Sequence, residues 1–201
     1  MASATTRRER LVEAARSLVH RKGYHRTTLA DIAAQAEVPL GNVYYYFRTK
    51  DDLLQAVVDD HAEELRANLA ACAEDEDPRE RLKALIRSSA DLRDVTARYG
   101  CPHGSLCQEL EKQDAEHENP AARLLRMRVD WAEEQFRRLG ENRHARELAV
   151  DLVGSLQGAA LLTNAFNAPQ LMKDTTLRLE AWIDAGSPRP PAAGQTPDTG
   201  S

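Results

Sequence analysis

The chain has 201 residues, of which 42% are hydrophobic and 29% are charged, and its net charge is −5. This length allows one domain or two small ones with a sizeable core, and the composition is that of a soluble globular protein. Residues 1–10 are polar and no apolar run follows them, so we expect no signal peptide.

Charge is divided unevenly along the chain. Residues 1–50 hold nine lysines and arginines against four acids, a net +5, whereas the remainder holds 18 against 28, a net −10. Such an asymmetry is typical of a basic nucleic-acid-binding part on an acidic body. A basic end also arises by chance in many proteins, so the charge alone does not identify a partner.

Two features bear on where the protein resides. The cysteines Cys72, Cys101 and Cys107 are an odd number without a disulfide pattern, which favours a reducing cytoplasm. The uncharged window from Leu152 to Met172 contains serine, glutamine, asparagine and proline, which make it too polar for a membrane span of about 20 apolar residues. We therefore expect a cytoplasmic protein without a membrane partner, and we interpret this window as a buried protein–protein surface.

The first two predicted helices are marked by periodicity and by caps. Apolar residues between Leu11 and Val19 follow helical spacing, and Gly23 ends that helix. Thr28 with Asp31 three residues later forms a capping box that begins the second helix.

The next two helices follow from a proline and a second cap. Pro39 suits the first turn of a very short third helix, and it keeps Val38 extended, so the segment before it must be a turn. Thr49 with Asp52 is another capping box, which begins a long helix that continues through Leu69.

Helical patterns continue to residue 183, and no segment of the sequence is typical of a strand. We predict an all-α fold with an N-terminal three-helix helix-turn-helix domain and a C-terminal helical domain for ligand binding and dimerisation. The predicted boundaries are residues 5–65 for the first domain, with the helix-turn-helix at 28–47, residues 66–186 for the second, and a disordered, proline-rich tail at 187–201.

Three consecutive tyrosines, residues 44–46, cannot all face one core, because successive helical residues are turned by roughly 100°. Val43 and Phe47 can share the core face. The residues that remain outward are Gly41, Asn42, Tyr44 and Tyr45, with Tyr46 at the flank. Phenol hydroxyls reach phosphate oxygens and Asn42 can bind a base edge, while a bound phosphate would account for a cation, Lys50, at a helix start. A tyrosine-rich core helix with a solvated lysine is the alternative.

From about residue 7 to residue 65 the sequence resembles the DNA-binding domain of the tetracycline-repressor (TetR) family. The matching segments are "AA" (14–15), "GYHRTTLADIA" (23–33) and "VPLGNVYYYFRTKDDLL" (38–54). The resemblance implies an all-α dimeric regulator whose C-terminal domain holds an effector pocket and the dimer interface. Carried over by position, it implies DNA contacts at Thr27, Thr28, Pro39, Leu40, Gly41, Asn42, Tyr44, Tyr45, Tyr46 and Lys50. Leu40 replaces a frequent polar residue and Tyr46 a frequent histidine, which affects the operator sequence.

The segment "YGCPHGSLCQEL" (99–110) resembles the hinge of one branch of this family, a segment with the pattern Gly-Cys-Pro/Leu, Gly-x-Leu and Glu-Leu. Cys101 follows a glycine at a helix start, where a thiolate is favoured, so it is a candidate sensor of electrophiles. Alternatively, Cys101 and Cys107 are small apolar fillers of the core. With His103 they are also a conceivable metal site if His117 or an acid completes it, or the nucleophile of a small enzyme or thiol redox protein. We assign no metal, no cofactor and no enzymatic activity.

The C-terminal half holds more large apolar residues than a thin helical bundle needs, which indicates either a pocket for an apolar effector or an ordinary core. The candidate ligand contacts are Cys101, His103, Leu106, Cys107, Leu110, Met127, Trp131, Gln157, Leu161 and Asn164. Small residues that allow close helix contact predict an isologous four-helix dimer interface. Its candidate residues are Gly154, Ser155, Gly158, Ala159, Leu162 and Trp182. The sequence thus predicts a homodimeric, ligand-responsive repressor that binds a palindromic DNA operator and is released by an unknown small molecule.

Overall fold

The computed structural model describes residues 6–111 and 119–186. The predicted tail, residues 187–201, and His117 lie outside the described residues. Those described form ten α-helices and no strand, so the predicted all-α class is confirmed. The helices are α1 (Arg7–Lys22), α2 (Leu29–Gln35), α3 (Leu40–Tyr46), α4 (Lys50–Cys72), α5 (Pro78–Asp91), α6 (Arg93–Tyr99), α7 (Pro102–Glu111), α8 (Ala122–Arg138), α9 (Ala145–Ala165) and α10 (Pro169–Asp184).

Capping boxes begin three of the first four helices. Thr28 and Thr49 accept hydrogen bonds from the backbone N–H groups of Asp31 and Asp52, as predicted. A third box was not predicted: Thr6 caps α1, and the Glu9 carboxylate accepts from the Thr6 N–H at 2.7 Å. Each cap stabilises its helix by about 1 kcal/mol, so the three capping boxes help to fix where α1, α2 and α4 begin.

The turn between α2 and α3 is held by backbone hydrogen bonds and one residue in the left-handed region. Glu37 has φ 54°, and the Val38 N–H donates to the Ala33 carbonyl at 3.0 Å. Pro39 then precedes the first residue of α3. The predicted turn is therefore present, and it is tight enough to place a seven-residue helix beside α2.

Two hydrophobic cores share helix α4. The first core joins α1, α2 and α3 to the start of α4, where Leu53 and Val57 are buried. The second core takes Leu54, Val58 and Leu65 from other sides of the same helix and packs them against residues of α5, α7 and α8. We call α1–α3 with the first turns of α4 the head, and the remainder the body. The predicted domain boundary at residues 65/66 lies inside α4, which is continuous across it.

The third core lies in the body, where α5, α8, α9 and α10 pack together around the fully buried Phe136, Leu152 and Ile183. Among the described residues, α9 is the one helix whose length and composition would allow it to cross a membrane. It packs against α6, α8 and α10, which is the position of a core helix. Asn167, at φ 48°, and Pro169 separate α9 from α10 within the window that we analysed as a possible span.

The sequence did not predict helix α6. The chain turns at Leu92, after α5, and begins a second helix of seven residues there. Neither proline nor glycine marks this break, so no local signal was available. Gly100, at φ 81°, ends α6 and donates its N–H to the Thr96 carbonyl at 2.8 Å.

Substitution of Gly23 by alanine should be more destabilising than substitution of Gly140. Both glycines have positive φ, 86° and 94°, which costs alanine about 1–2 kcal/mol. At Gly23 the added Cβ would also stand 2.8 Å from a carboxylate oxygen of Glu109, whereas no atom lies within 4 Å at Gly140. Because that carboxylate accepts a hydrogen bond from Tyr24 N–H, its displacement should cost about 1–3 kcal/mol more. Urea unfolding of Gly23→Ala and Gly140→Ala measures the difference, and equal losses would contradict it.

Candidate nucleic-acid interface and effector cavity

Helix α3 buries one side and exposes the other. Val43 and, just after the helix, Phe47 are buried in the first core. The outward side is formed by Pro39, Leu40, Gly41, Tyr44 and Tyr45, which are exposed, and by Asn42 and Tyr46, which are partly exposed. Tyr45 is 84% exposed, and its ring meets that of Tyr46 edge-on with centroids 5.0 Å apart. Helix α3 therefore exposes phenol groups and open backbone at Gly41 on its outward side.

The two threonines before α2 have different roles. Thr28 is exposed, and its hydroxyl exchanges hydrogen bonds with Asp31, which hold the pKa of that carboxyl below its usual value. Thr27 is only 1% exposed, and its hydroxyl donates to the Gly23 carbonyl at 2.8 Å. This burial corrects the prediction for Thr27: in this arrangement it stabilises the turn after α1 and presents no surface to DNA.

Lys50 makes intramolecular contacts that the sequence did not predict. Its ammonium donates to the Tyr24 carbonyl at 2.5 Å and lies 4.0 Å from the centroid of the Tyr24 ring. Partial burial lowers the pKa of Lys50, while the nearby Asp51 and Glu109 carboxylates oppose that shift. A phosphate contact by Lys50 stays a prediction, and it would have to use the ammonium hydrogens not directed at Tyr24.

Tyr24 also connects the head to the body. Its phenol donates to Asp51 at 2.7 Å, and its backbone N–H donates to the Glu109 carboxylate at 2.5 Å. Burial, followed by the hydrogen bond to Asp51, raises the pKa of the phenol. We call Tyr24, Lys50, Asp51 and Glu109 the Tyr24 junction. Glu109 lies in the hinge segment identified from the sequence, but its partner could not be read from the motif.

A cavity of about 560 Å³ opens between α1 of the head and the helices of the body. Of the predicted ligand contacts, Cys101, His103 and Gln157 line it. The others lie elsewhere: Leu106 and Leu110 are buried in the second core, against which Cys107, Met127 and Trp131 pack. Asn164 donates to the Ala97 carbonyl at 3.0 Å. Leu161 is 57% exposed and does not line the cavity, so the structure does not support its assignment as a ligand contact.

Two histidines that face the cavity are buried without hydrogen bonds to their Nδ1 atoms. His61 is 4% and His103 is 6% exposed, and their rings meet edge-on with centroids 5.1 Å apart. Glu64 lies 3.9 Å from His61 Nδ1, too far for a hydrogen bond. Burial, assisted by the charge of Arg16, lowers the pKa of His61 to about 4. Burial, and then the charge of Arg128, lowers the pKa of His103 well below its usual value.

The cysteine segment was also considered as a metal site. Within residues 6–111 and 119–186, no three histidine, cysteine or acidic side chains are grouped as metal ligands. Cys101 is half-buried at the edge of the cavity, just before α7. Its reactivity stays a prediction, and its position at the cavity edge is compatible with either a sensor or a wall residue.

An apolar surface lies on the side of α9 away from the cavity. Gly154, Ser155, Gly158 and Leu162 are exposed there, as an interface requires. Large apolar side chains that were not predicted extend it, namely Val150, Leu161, Phe166 and Leu177. Ala159 is buried, and Trp182 is half-buried and packs edge-on against Phe136 at 5.9 Å. Both therefore contribute to the packing of the body, and their assignment to the dimer interface stays a prediction.

A short exposed helix, set by a tight turn on a three-helix head, is the architecture of a helix-turn-helix DNA-binding protein. The sequence model of the family described as "Bacterial regulatory proteins, tetR family" matches residues 11–57. An HTH-type transcriptional regulator of Mycobacterium tuberculosis is 32% identical over 163 residues, which cover 77% of this chain and 82% of that protein. The chain therefore belongs to the TetR family of bacterial regulatory proteins.

Other relatives match more locally. An HTH-type regulator from the lacX 3' region of Lactococcus lactis is 31% identical over 121 residues, and the regulator TtgR of Pseudomonas putida is 41% identical over 70 residues. The chain spans 62% and 33% of their respective lengths.

Solved structures match over nearly the whole fold. A TetR regulator from Legionella pneumophila has a TM-score of 0.79 at 20% identity, covering 92% of this chain and 99% of that one. The TetR-family regulator SCO4454 from Streptomyces coelicolor has a TM-score of 0.78 at 22% identity, covering 90% and 95%.

Acidification should destabilise the protein through the buried histidines. The unfolded chain gains a proton on each imidazole as the pH falls below about 6.5, whereas the native imidazoles stay neutral, so the free energy of unfolding falls. With the pKa of His61 at about 4, this residue alone should account for a loss of about 2 kcal/mol between pH 7 and pH 5.

Urea unfolding of His61→Phe at both pH values tests this expectation, since phenylalanine fills the site and cannot titrate. Its loss of stability on acidification should be smaller than that of the wild type. The matched variant His144→Phe, at a more exposed imidazole, should retain the wild-type loss. A His61→Phe variant as sensitive to acid as the wild type would refute the assignment.

Proposed function

We propose that this regulator is a cytoplasmic repressor that binds a palindromic operator as a homodimer and is released when a small molecule enters the cavity between the head and the body. The observation that carries the proposal is the pair of surfaces on one rigid framework: the exposed tyrosine side of α3 and the cavity lined by α4 and α7. Phenols, an asparagine and open glycine backbone suit phosphate and base contacts in the major groove.

The apolar side of α9 and α10 supports the homodimer. Leu161, Leu162, Phe166 and Leu177 are all exposed, and small residues beside them permit close helix approach. Large apolar patches on monomers mark interaction surfaces, and a two-fold axis would pair this patch with itself. The dimer then presents two α3 helices to half-sites about 34–36 Å apart, one helical turn of DNA.

Release by a ligand follows from the position of α7 and α4. His103, near the start of α7, lines the cavity, and Glu109, toward its end, holds the Tyr24 N–H of the head. His61 of α4 faces the same cavity, and α4 continues into the first core. A ligand that favours a shifted arrangement of α7 and α4 would move the head, change the separation of the two α3 helices and lower the affinity for the operator.

The variant Tyr45→Phe should bind operator DNA about 5–30-fold more weakly, because it keeps the ring and loses one hydrogen bond to phosphate worth about 1–2 kcal/mol. Fluorescence anisotropy with a duplex from the DNA upstream of the coding sequence measures this. The same change at Tyr99, whose ring packs against His20 in the body–head contact, should leave the affinity unchanged. Wild-type binding that is absent, or insensitive to salt, would contradict the proposal.

The variant Leu161→Glu should sediment as a monomer, because dimerisation through the apolar patch would bury its carboxylate. The matched variant Leu40→Glu introduces the same charge at an exposed leucine of α3, so it should sediment like the wild type while binding DNA more weakly. Sedimentation velocity at several protein concentrations distinguishes the two. A dimeric Leu161→Glu variant would place the interface elsewhere.

A further inference from the structure

One end of the cavity presents polar groups that lack partners. The Nδ1 atoms of His61 and His103 make no hydrogen bond, although both side chains are more than nine-tenths buried and line the cavity. An unsatisfied buried polar group costs about 1–3 kcal/mol, so a molecule that offers hydrogen-bond acceptors here would recover a substantial free energy. Two such groups in van der Waals reach of each other indicate a site for a ligand rather than a packing accident.

Two arginines line the cavity. Arg128 of α8 lines it, and its Nε has no hydrogen-bond partner among the described residues. Arg16 is already compensated by Asp60 at 3.0 Å and Glu64 at 2.6 Å. Arg128 is close enough to His103 to lower the pKa of that imidazole. An anion beside Arg128 would therefore be favoured, and a cation would be repelled.

The acidic residues that line the cavity are either paired or exposed to solvent. Glu64 is paired with Arg16, while Glu13 and Asp91 are exposed to solvent. His103 is the second residue of α7, a helix of ten residues, so the positive end of the helix dipole adds to the field at the imidazole. The polar groups of the lining thus combine hydrogen-bond donors with the positive charge of Arg128.

Part of the cavity lining is apolar. It is formed by Leu65, Leu92, Val95, Leu156, Ala160 and Met172. The volume of about 560 Å³ is within the range of pockets that bind small organic molecules, about 300–1,000 Å³. A ligand that fits this lining would therefore combine an apolar group with an anionic group.

We propose that this cavity binds amphipathic carboxylic acids. The carboxylate would lie between His103, His61 and Arg128, and the hydrocarbon group would contact the apolar part of the lining. The carboxylate accepts hydrogen bonds from the guanidinium and from the imidazole N–H groups, and charge-assisted bonds of this kind are about twice as strong as neutral ones. The role of such acids as effectors rests on the function proposed above, whereas their binding to the cavity does not.

Isothermal titration of the full chain with three acids and their methyl esters tests the ligand class. The acids are octanoate, 3-phenylpropanoate and 2-naphthoate, which differ in the shape of the apolar body. We expect at least one acid to bind about tenfold more tightly than its own ester, because the ester keeps the apolar group and loses the negative charge. The proposal is overturned if no acid binds, or if the esters bind as tightly as the acids.

Variants of the cavity then test where the carboxylate of the ligand binds. Arg128→Met and His103→Phe each remove one contact while keeping most of the side-chain volume, and each should reduce the acid-to-ester affinity ratio severalfold without abolishing ester binding. Arg138→Met, on the same helix but paired with Glu134 at the surface, should keep the wild-type ratio. Circular dichroism establishes that the variants fold, and either pocket variant suffices if the other does not. An unchanged ratio in a folded pocket variant would refute the placement.

The operator assay separates this inference from the proposed function. If an acid binds with the expected preference but operator affinity does not change, the ligand class stands and the effector role fails. If the protein binds its operator and no acid binds, the regulator stands and the ligand class fails.

Discussion

Helix α4 is the constraint on which the arrangement of head and body depends, because it belongs to two cores at once. Leu53 and Val57 pack into the first core, and Leu54 and Val58, each one residue further along, pack into the second. A step of one residue turns the side chain by roughly 100°, so neighbouring positions serve different cores without any bend in the helix. The orientation of α3 relative to the cavity is therefore set by the continuous helix α4 rather than by a linker.

The Tyr24 junction is the second connection between head and body. It consists of hydrogen bonds, whereas α4 connects the two parts through apolar packing. Lys50 and Asp51 hold Tyr24 from the start of α4, and Glu109 holds it from α7. A parallel contact lies nearby, where His20 of α1 meets the Gly100 carbonyl at 2.9 Å. Hydrogen bonds and ion contacts have narrow distance limits, so a small shift of α7 changes them more than it changes apolar packing. The junction is thus the place where movement in the body would be converted into movement of the head.

Local signals predicted much of the fold and less of the sites. Caps at Thr28 and Thr49 and the stop at Gly23 are encoded within a few residues, so they could be read directly. The break before α6 has no such signal, and family position did not reveal the burial of Thr27. Helix α9 is apolar on several sides, so periodicity could not tell that Leu156 faces the cavity and Leu161 the solvent. His61 fitted the apolar stripe of α4, but only its tertiary neighbours show that its Nδ1 lacks a partner.

The distribution of aromatic residues makes the two parts optically distinct. Both tryptophans of the chain, Trp131 and Trp182, lie in the body, whereas four of the five tyrosines, Tyr24 and residues 44–46, lie in the head. Tryptophan emission therefore reports the environment of the body alone, and Trp131 packs against both the second and the third cores. Tyrosine absorbance is dominated by the head. Because α4 is common to the cores of both parts, melting of one part removes buried surface from the other, so the two signals should change in a single cooperative transition.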